Sequence, residues 1–173
     1  DSSTVERRNN SDVKTIKGQF QLKGVLSSTE DLNLQASYRK TERGLPGATI
    51  FYNSQNYAHQ RLNEQTFYLM AHYLNSISEK WSFQSYLKYN NGFLRYQDPD
   101  FLDSSGELDN SYRQQEYYVS GSVLFVPSDR FTFSASSDVF YQDMQSDVAG
   151  FTVPVRWSYL QSLQARYTID QLQ

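Results

Sequence analysis

Carboxylates are concentrated in one stretch near the middle of the sequence. Asp98, Asp100 and Asp103 lie there, and Glu107 and Asp109 follow. Oxygen-rich loops bind Ca²⁺, so the three aspartates form a candidate calcium site. Their spacing does not match the EF-hand loop, which needs a glycine at its centre and a glutamate at its end. A solvated acidic loop is therefore the alternative interpretation.

The other reactive side chains form no recognisable catalytic arrangement. The sequence has no cysteine, which removes disulfides, thiolate metal ligands and Cys nucleophiles. His59 and His72 have no partner at metal-ligand spacing. Gly44 and Gly47 flank a proline, which denies that loop a backbone N–H for phosphate. We predict a protein that is not an enzyme and needs no cofactor.

The composition narrows the classes of protein. The chain of 173 residues has the size of one domain. Its 16 basic and 19 acidic residues give a net charge of −3 and provide no basic surface for nucleic acid. No apolar run approaches the ~20 residues of a membrane-spanning helix. The mean hydropathy of −0.69 is nevertheless compatible with strands that present only every second residue to lipid.

The dominant pattern is an alternation of apolar and polar residues. Phe131, Phe133 and Val139, for example, share one parity, while Thr132 and Ser134 share the other. Alternation of this length predicts strands with one apolar and one wet face. The predicted strands are 13–27, 31–42, 63–76, 79–95, 112–126, 129–143 and 153–169. Residues 47–53 form a short eighth strand or part of a loop, and we count them as loop because turn formers surround them.

The connections between these strands alternate in length. Tight polar turns at 27–30, 76–78 and 127–129 are separated by longer connections at about 43–62, 96–111 and 144–152. Outer-membrane barrels combine short periplasmic turns with longer extracellular loops. The pattern predicts an all-β protein: an antiparallel up-and-down meander of about seven or eight long strands, part of a large transmembrane β-barrel.

Aromatic and basic residues fit the same architecture. Aromatic side chains gather near the predicted strand ends, where interfacial girdles would lie. They are Trp81, Phe93, Tyr96, Tyr117, Phe125, Phe131, Tyr141, Trp157 and Tyr167. Basic residues on the polar parity are expected to face a wet lumen. These are Lys17, Lys23, Arg39, Lys88, Arg156 and Arg166.

Features of the termini led us to expect a single partial barrel segment over residues 1–173. Single-chain bacterial barrels have an even number of strands. The end, Gln171-Leu172-Gln173, lacks the terminal aromatic of a closing strand. We expect residues 1–12 to be a piece of an extracellular loop. The 173 residues include neither a signal peptide nor a plug domain, which predicts that a signal was cleaved or that the chain is an excised piece.

Several loop and strand-end patterns resemble the middle of the barrel in Bacteroidetes-type TonB-dependent outer-membrane receptors. The patterns are Arg43-Gly44-Leu45-Pro46-Gly47-Ala48, Phe51-Tyr52-Asn53, Gln60-Arg61-Leu62, Tyr96-Gln97-Asp98-Pro99-Asp100-Phe101, Gly106-Glu107-Leu108-Asp109-Asn110 and Tyr112-Arg113-Gln114-Gln115-Glu116. The resemblance extends along most of the chain.

The resemblance implies a function and a location. Such receptors have a barrel of about 22 strands around a plug in the bacterial outer membrane, and they import scarce nutrients. The implied partners are outer-membrane lipid, the rest of the barrel and plug, the TonB complex through the missing plug, and a small nutrient ligand, but not nucleic acid. Because receptors bind ligands with extracellular loops, the expected ligand-contacting residues are Tyr57, Tyr96, Phe101 and Tyr112.

Two other functions remain open at the level of sequence. The chain could be a complete small β-barrel or a soluble β-sandwich that binds a lipid or a glycan. An enzyme of the outer-membrane barrel kind would need a Ser or His pair on adjacent lumen positions, and the sequence shows none.

Overall fold

A computed structural model describes residues 9–46, 59–101 and 106–169, and all the regular structure in these ranges is β-strand. The strands are β1 (Val13–Ser27), β2 (Glu30–Gly44), β3 (Arg61–Asn75), β4 (Trp81–Asp98), β5 (Leu108–Ser128), β6 (Phe131–Ser146) and β7 (Val155–Tyr167). The predicted strand at 47–53, which we counted as loop, lies outside the described residues. No described segment is a helix long and apolar enough to cross a membrane.

The seven strands form one sheet in sequence order, and every neighbouring pair is antiparallel. The predicted all-β up-and-down meander is therefore confirmed. Each ladder is nearly continuous, and only the β1–β2 and β5–β6 pairs contain a register shift. Strands of 13 to 21 residues exceed the usual soluble strand of about 5–6 residues.

The tight connections lie at one end of the sheet, which we call the short-turn rim. Ser28 and Thr29 form one turn, and Asp129 and Arg130 form another. Pro127 was predicted to end its strand, but β5 continues through it to Ser128. A proline cannot donate a ladder hydrogen bond, and it is accommodated because the register shifts between Phe125 and Ser128.

The longer connections lie at the opposite end, the long-loop rim. There β4 continues to Asp98 and β5 begins at Leu108, so the hairpin is longer than the predicted strands 79–95 and 112–126. The predicted boundaries were wrong because alternation disappears where both faces are polar. In that region cross-strand polar pairs, such as Arg95 opposite Ser111 and Gln97 opposite Asp109, continue the ladder instead.

The two faces of the sheet differ in chemistry, as the alternation predicts. Residues paired directly across an antiparallel ladder share a face. Leu22, Leu34 and Ala71 are linked in this way on the apolar face, whereas Lys17, Arg39 and Thr66 are linked on the polar face. None of the described apolar residues is buried, so the sheet has no core of its own. The apolar face is uncovered.

Candidate functional site

The apolar face carries two rows of aromatic side chains that run across the strands. The long-loop row joins neighbouring rings from β3 to β7 at centroid distances of 4.7 to 6.2 Å. Its members are Phe67, Tyr89, Tyr117, Tyr141 and Trp157. The short-turn row comprises two groups of contacting rings, Tyr73 with Phe83 and the others from Trp81 to Tyr167, at centroid distances of 4.1 to 6.5 Å. It consists of Tyr73, Phe83, Trp81, Phe125, Phe133, Phe131 and Tyr167.

A band of mostly aliphatic and small residues, with Tyr159 and Gln161 on β7 as exceptions, separates these rows. We call the band and both rows the belt. Trp81 and Tyr89 mark its limits on β4, eight residues apart. At ~3.3 Å per residue this corresponds to about 26 Å along the strand. A tilted strand of about 9–11 residues spans a bilayer. The belt therefore has the length of one membrane crossing.

Both aromatic rows step toward the short-turn rim between β3 and β4. In the long-loop row, Phe67 is level with Asn91, yet the next ring, Tyr89, lies two residues lower. In the short-turn row, Tyr73 is level with Ser85, whereas Trp81 lies four residues lower. From β4 to β7 the long-loop row stays level, because its four rings lie directly opposite one another.

Two residues that we assigned to the girdles lie elsewhere. Phe93 shares the apolar face but lies four residues beyond Tyr89, among polar side chains. Tyr96 pairs with Asn110 and lies on the polar face. The two corrections have different causes. Tyr96 has the parity of the polar face, whereas Phe93 has the apolar parity but is no longer near a strand end, because β4 extends to Asp98.

The predicted ligand-contacting residues occupy different parts of the long-loop rim. Phe101 follows the end of β4 and is 41% exposed. Tyr96 and Tyr112, expected in loops, lie in β4 and β5, close together on the polar face. The ring of Tyr112 meets Phe151 edge-on at 6.2 Å. Tyr57 lies outside the described residues.

Asp98, a predicted calcium ligand, is buried at the end of β4, with 7% of its surface exposed. Its Oδ2 accepts hydrogen bonds from Gln60 Nε2 at 2.9 Å and from the Tyr96 hydroxyl at 3.4 Å. Its Oδ1 accepts one from the backbone N–H of Asp100 at 3.2 Å. Both oxygens are therefore engaged: Oδ2 joins the end of β4 to the segment that precedes β3, and Oδ1 holds the turn that follows β4.

Asp100, the second predicted ligand, lies 2.8 Å from Nδ1 of His59. Within the described ranges no three His, Asp or Glu residues are grouped as a metal site. Asp103, the third predicted ligand, lies outside those ranges. Calcium binding at this loop stays a prediction.

A set of hydrogen bonds that the sequence did not predict joins residues 9–12 to the ends of β2 and β3, and we call it the clasp. The side-chain amide of Asn10 donates to the carbonyls of Leu45 at 3.0 Å and Gln60 at 2.7 Å. Arg61 donates two hydrogen bonds to the Asp12 carboxylate, at 2.7 and 2.9 Å. Asn10 has a φ of 54°, a left-handed conformation that asparagine tolerates better than most residues. The only feature of the sequence that pointed to this contact was the group of turn-forming residues around Asn10.

A similar contact fixes the connection between β6 and β7. Asp147 accepts hydrogen bonds from the backbone N–H and the hydroxyl of Ser111, both at 2.7 Å. These bonds stabilise the ionised carboxylate and lower the pKa of Asp147. Together with the Arg95–Asp109 pair, these bonds connect neighbouring strands at the long-loop rim.

The Asp12–Arg61 pair predicts a pH dependence of the clasp. The hydrogen bonds from Arg61 hold the pKa of Asp12 below its ordinary value of 3.8. A lowered pKa means that the stabilisation is present above the ordinary value and is lost as the pH falls through the lowered one. We expect the ¹³Cγ resonance of Asp12 to titrate below 3.8 in the wild type and near that value in Arg61→Gln. Identical midpoints in the two proteins would contradict the pairing.

The polar face carries the basic residues that were predicted to face a lumen. Lys88 extends over the ring of Tyr118, with Nζ 4.9 Å from the centroid, and lies 5.8 Å from that of Tyr86. The Tyr86 ring also stacks on His72 at 4.2 Å. This face is therefore polar and aromatic, and its exposed charges suit water rather than lipid.

No protein-family model matches the chain, and a search of curated proteins found no similar protein. The fold and the site therefore define the class, which is a one-layer antiparallel sheet of long strands with an uncovered apolar face.

Proposed function

We propose that this chain forms part of the wall of a transmembrane β-barrel in a bacterial outer membrane. One observation carries the proposal: the aliphatic band lies between two aromatic rows on one face, at the spacing of a bilayer crossing. Barrel exteriors have an apolar band about 25 Å tall with aromatic girdles at both interfaces. In this orientation the polar face lines the lumen.

The edges of the sheet explain why we propose a wall rather than a complete barrel. Within the described residues β1 pairs only with β2, and β7 only with β6. An unpaired strand edge cannot lie in hydrocarbon, because its N–H and C=O groups would have no partner. In the membrane, further strands must pair with both edges.

The two rims support a receptor of the TonB-dependent class. At the short-turn rim the belt reaches the turns, since Trp81 begins β4 and Phe131 begins β6. At the other rim β4 extends nine residues beyond Tyr89, about 30 Å along the strand. Outer-membrane barrels extend in this way on the extracellular side. With the sequence resemblance, this favours a nutrient-uptake receptor that binds its ligand at the long-loop rim.

The two tryptophans provide a direct test of the membrane orientation, because Trp81 lies in the short-turn row and Trp157 in the long-loop row. The full-length protein is reconstituted in vesicles of brominated phosphatidylcholine. In a full-length background whose tryptophans outside residues 1–173 are replaced by phenylalanine, the tryptophan that remains in Trp81→Phe or in Trp157→Phe should be quenched more by bromine near the headgroup than by bromine at the chain end, as interfacial residues require.

A tryptophan on the polar face is the matched control. Gln84 is exposed on that face of β4, so Gln84→Trp, in a background without the native tryptophans, should escape quenching. Equal quenching at Gln84 and Trp81 would contradict the orientation. A chain that is folded and monodisperse without detergent would favour the soluble β-sandwich instead.

The receptor assignment needs its own test, and the complete reading frame supplies it. A plug domain encoded upstream of Asp1 is the expected finding. An open reading frame that contains these residues alone would contradict the assignment but would leave the belt unaffected.

A further inference from the structure

We infer that Arg113 is the centre of a binding site for the phosphate group of a membrane lipid. This inference rests on the proposed membrane function, because it places Arg113 at the level of the lipid headgroups. The site is a groove on the apolar face, just beyond the long-loop aromatic row.

The groove crosses four strands and has a volume of about 290 Å³. It is lined by Tyr38, Gln65, Phe67, Asn91, Phe93 and Arg113. The ladders place Gln65, Phe93 and Arg113 at one level, and Phe67 and Asn91 at the next level toward the belt. The Phe67 ring therefore lies toward the hydrocarbon, and the Phe93 ring lies beside the guanidinium. This arrangement suits a lipid whose acyl chain contacts Phe67 and whose charged headgroup reaches Arg113.

Arg113 differs from the other basic residues at this level of the apolar face. Lys40 pairs with Glu42 at 2.7 Å, Arg61 with Asp12 at 2.7 Å, and Arg95 with Asp109. The side chain of Arg113 makes no ion pair or hydrogen bond in the part of the chain that the structure describes. Its cationic charge is thus available to an anion.

The nearest carboxylates on this face do not neutralise Arg113. Asp109 is occupied by Arg95. Asp143 lies directly opposite Gln115 and therefore diagonal to Arg113 across the β5–β6 ladder, and it makes no ion pair with Arg113. The excess positive charge at the groove is therefore local, and it complements an anionic headgroup.

Two amide side chains complete the polar part of the groove. The Oε1 of Gln65 accepts from the Tyr38 hydroxyl at 3.3 Å, which leaves its Nε2 to donate elsewhere. Asn91 uses Nδ2 toward the Tyr89 hydroxyl at 3.0 Å and retains a second N–H. An arginine fork with neighbouring amide donors suits a phosphate, which accepts several charge-assisted hydrogen bonds.

The test compares lipids that differ only in the phosphate. The full-length protein, folded in neutral detergent, is titrated with dioctanoyl phosphatidate or dioctanoylglycerol, and bound lipid is counted by native mass spectrometry. We expect phosphatidate to be retained and Arg113→Gln to weaken its binding about tenfold or more, the effect of one lost charged hydrogen bond. Arg39→Gln, an exposed arginine on the polar face, is the matched control and should bind as the wild type does.

Three results would overturn the inference. They are equal phosphatidate binding by Arg113→Gln and the wild type, equal retention of dioctanoylglycerol, and complete displacement of the lipid by inorganic phosphate at the same concentration. If any of them occurred while Trp81 and Trp157 were quenched at the headgroup level, the lipid site would fail and the barrel wall would stand. If quenching also failed, the membrane proposal itself would be wrong.

Discussion

Replacing Leu163 by arginine is expected to destabilise the protein by about 2–4 kcal/mol in a bilayer, the cost of a basic residue near the membrane midplane on the lipid face of a barrel. Leu163 lies on the apolar face of β7, between Trp157 and Tyr167, and is 87% exposed. In water such an exposed position would tolerate arginine with little change in the free energy of unfolding. The substitution therefore distinguishes lipid from water at this face.

Two further arginine substitutions on β7 serve as controls. Gln164→Arg places the charge on the polar face next to Leu163 and should change the free energy of unfolding little. Val155→Arg keeps the apolar face but lies beyond Trp157, so a cost of about 0–1 kcal/mol is expected near the interface. The free energy of unfolding is measured by reversible denaturant titration of the protein in vesicles, with tryptophan fluorescence as the signal. Equal stability of Leu163→Arg and Gln164→Arg would refute the lipid-facing assignment.

Replacing Gly44 by alanine is expected to open the clasp at the long-loop rim. A Cβ on Gly44 would lie 2.7 Å from the backbone carbonyl carbon of Asn10, and backbone cannot yield as a flexible side chain does. Residues 9–12 would have to move, and the bond from the Gly44 N–H to the Asp12 carbonyl at 2.9 Å would be lost. Overpacking of this kind costs about 1–3 kcal/mol.

The effect of Gly44→Ala should be local to the rim. Hydrogen exchange should accelerate at the Gly44 amide and in residues 9–12, while the belt strands keep their protection. Gly18→Ala is the matched control, because a Cβ at Gly18 on β1 meets nothing within 4 Å. Unchanged protection at Gly44 in the alanine variant would show that the clasp does not restrain this rim.

The prediction of the strands succeeded where one face differs chemically from the other. Within the belt, a register shift of one residue would move Phe133 or Leu22 to the polar face. Alternation therefore specifies both the strand and its face. Beyond the belt this constraint ends. Residues Arg95, Gln97 and Asp109 are polar on an otherwise apolar parity, and for this reason the β4–β5 hairpin extends further than its sequence pattern indicated.

The candidate sites were less predictable, because their contacts join residues far apart in the chain. Asp98 was an exposed loop carboxylate by composition, yet it is buried by Gln60, 38 residues away. Asn10 reaches Gln60 across 50 residues. No local pattern encodes such partners.

The order of residues alone determined the period-two pattern, the approximate positions of the tight turns and the apolar parity of each strand. These are local consequences of side-chain chemistry and turn geometry. Only the tertiary structure decided which residues became level across the sheet, since register depends on pairing between strands. Register gathered scattered rings into the two aromatic rows, and it left Arg113 unpaired beside Phe93 while Lys40, Arg61 and Arg95 found carboxylates.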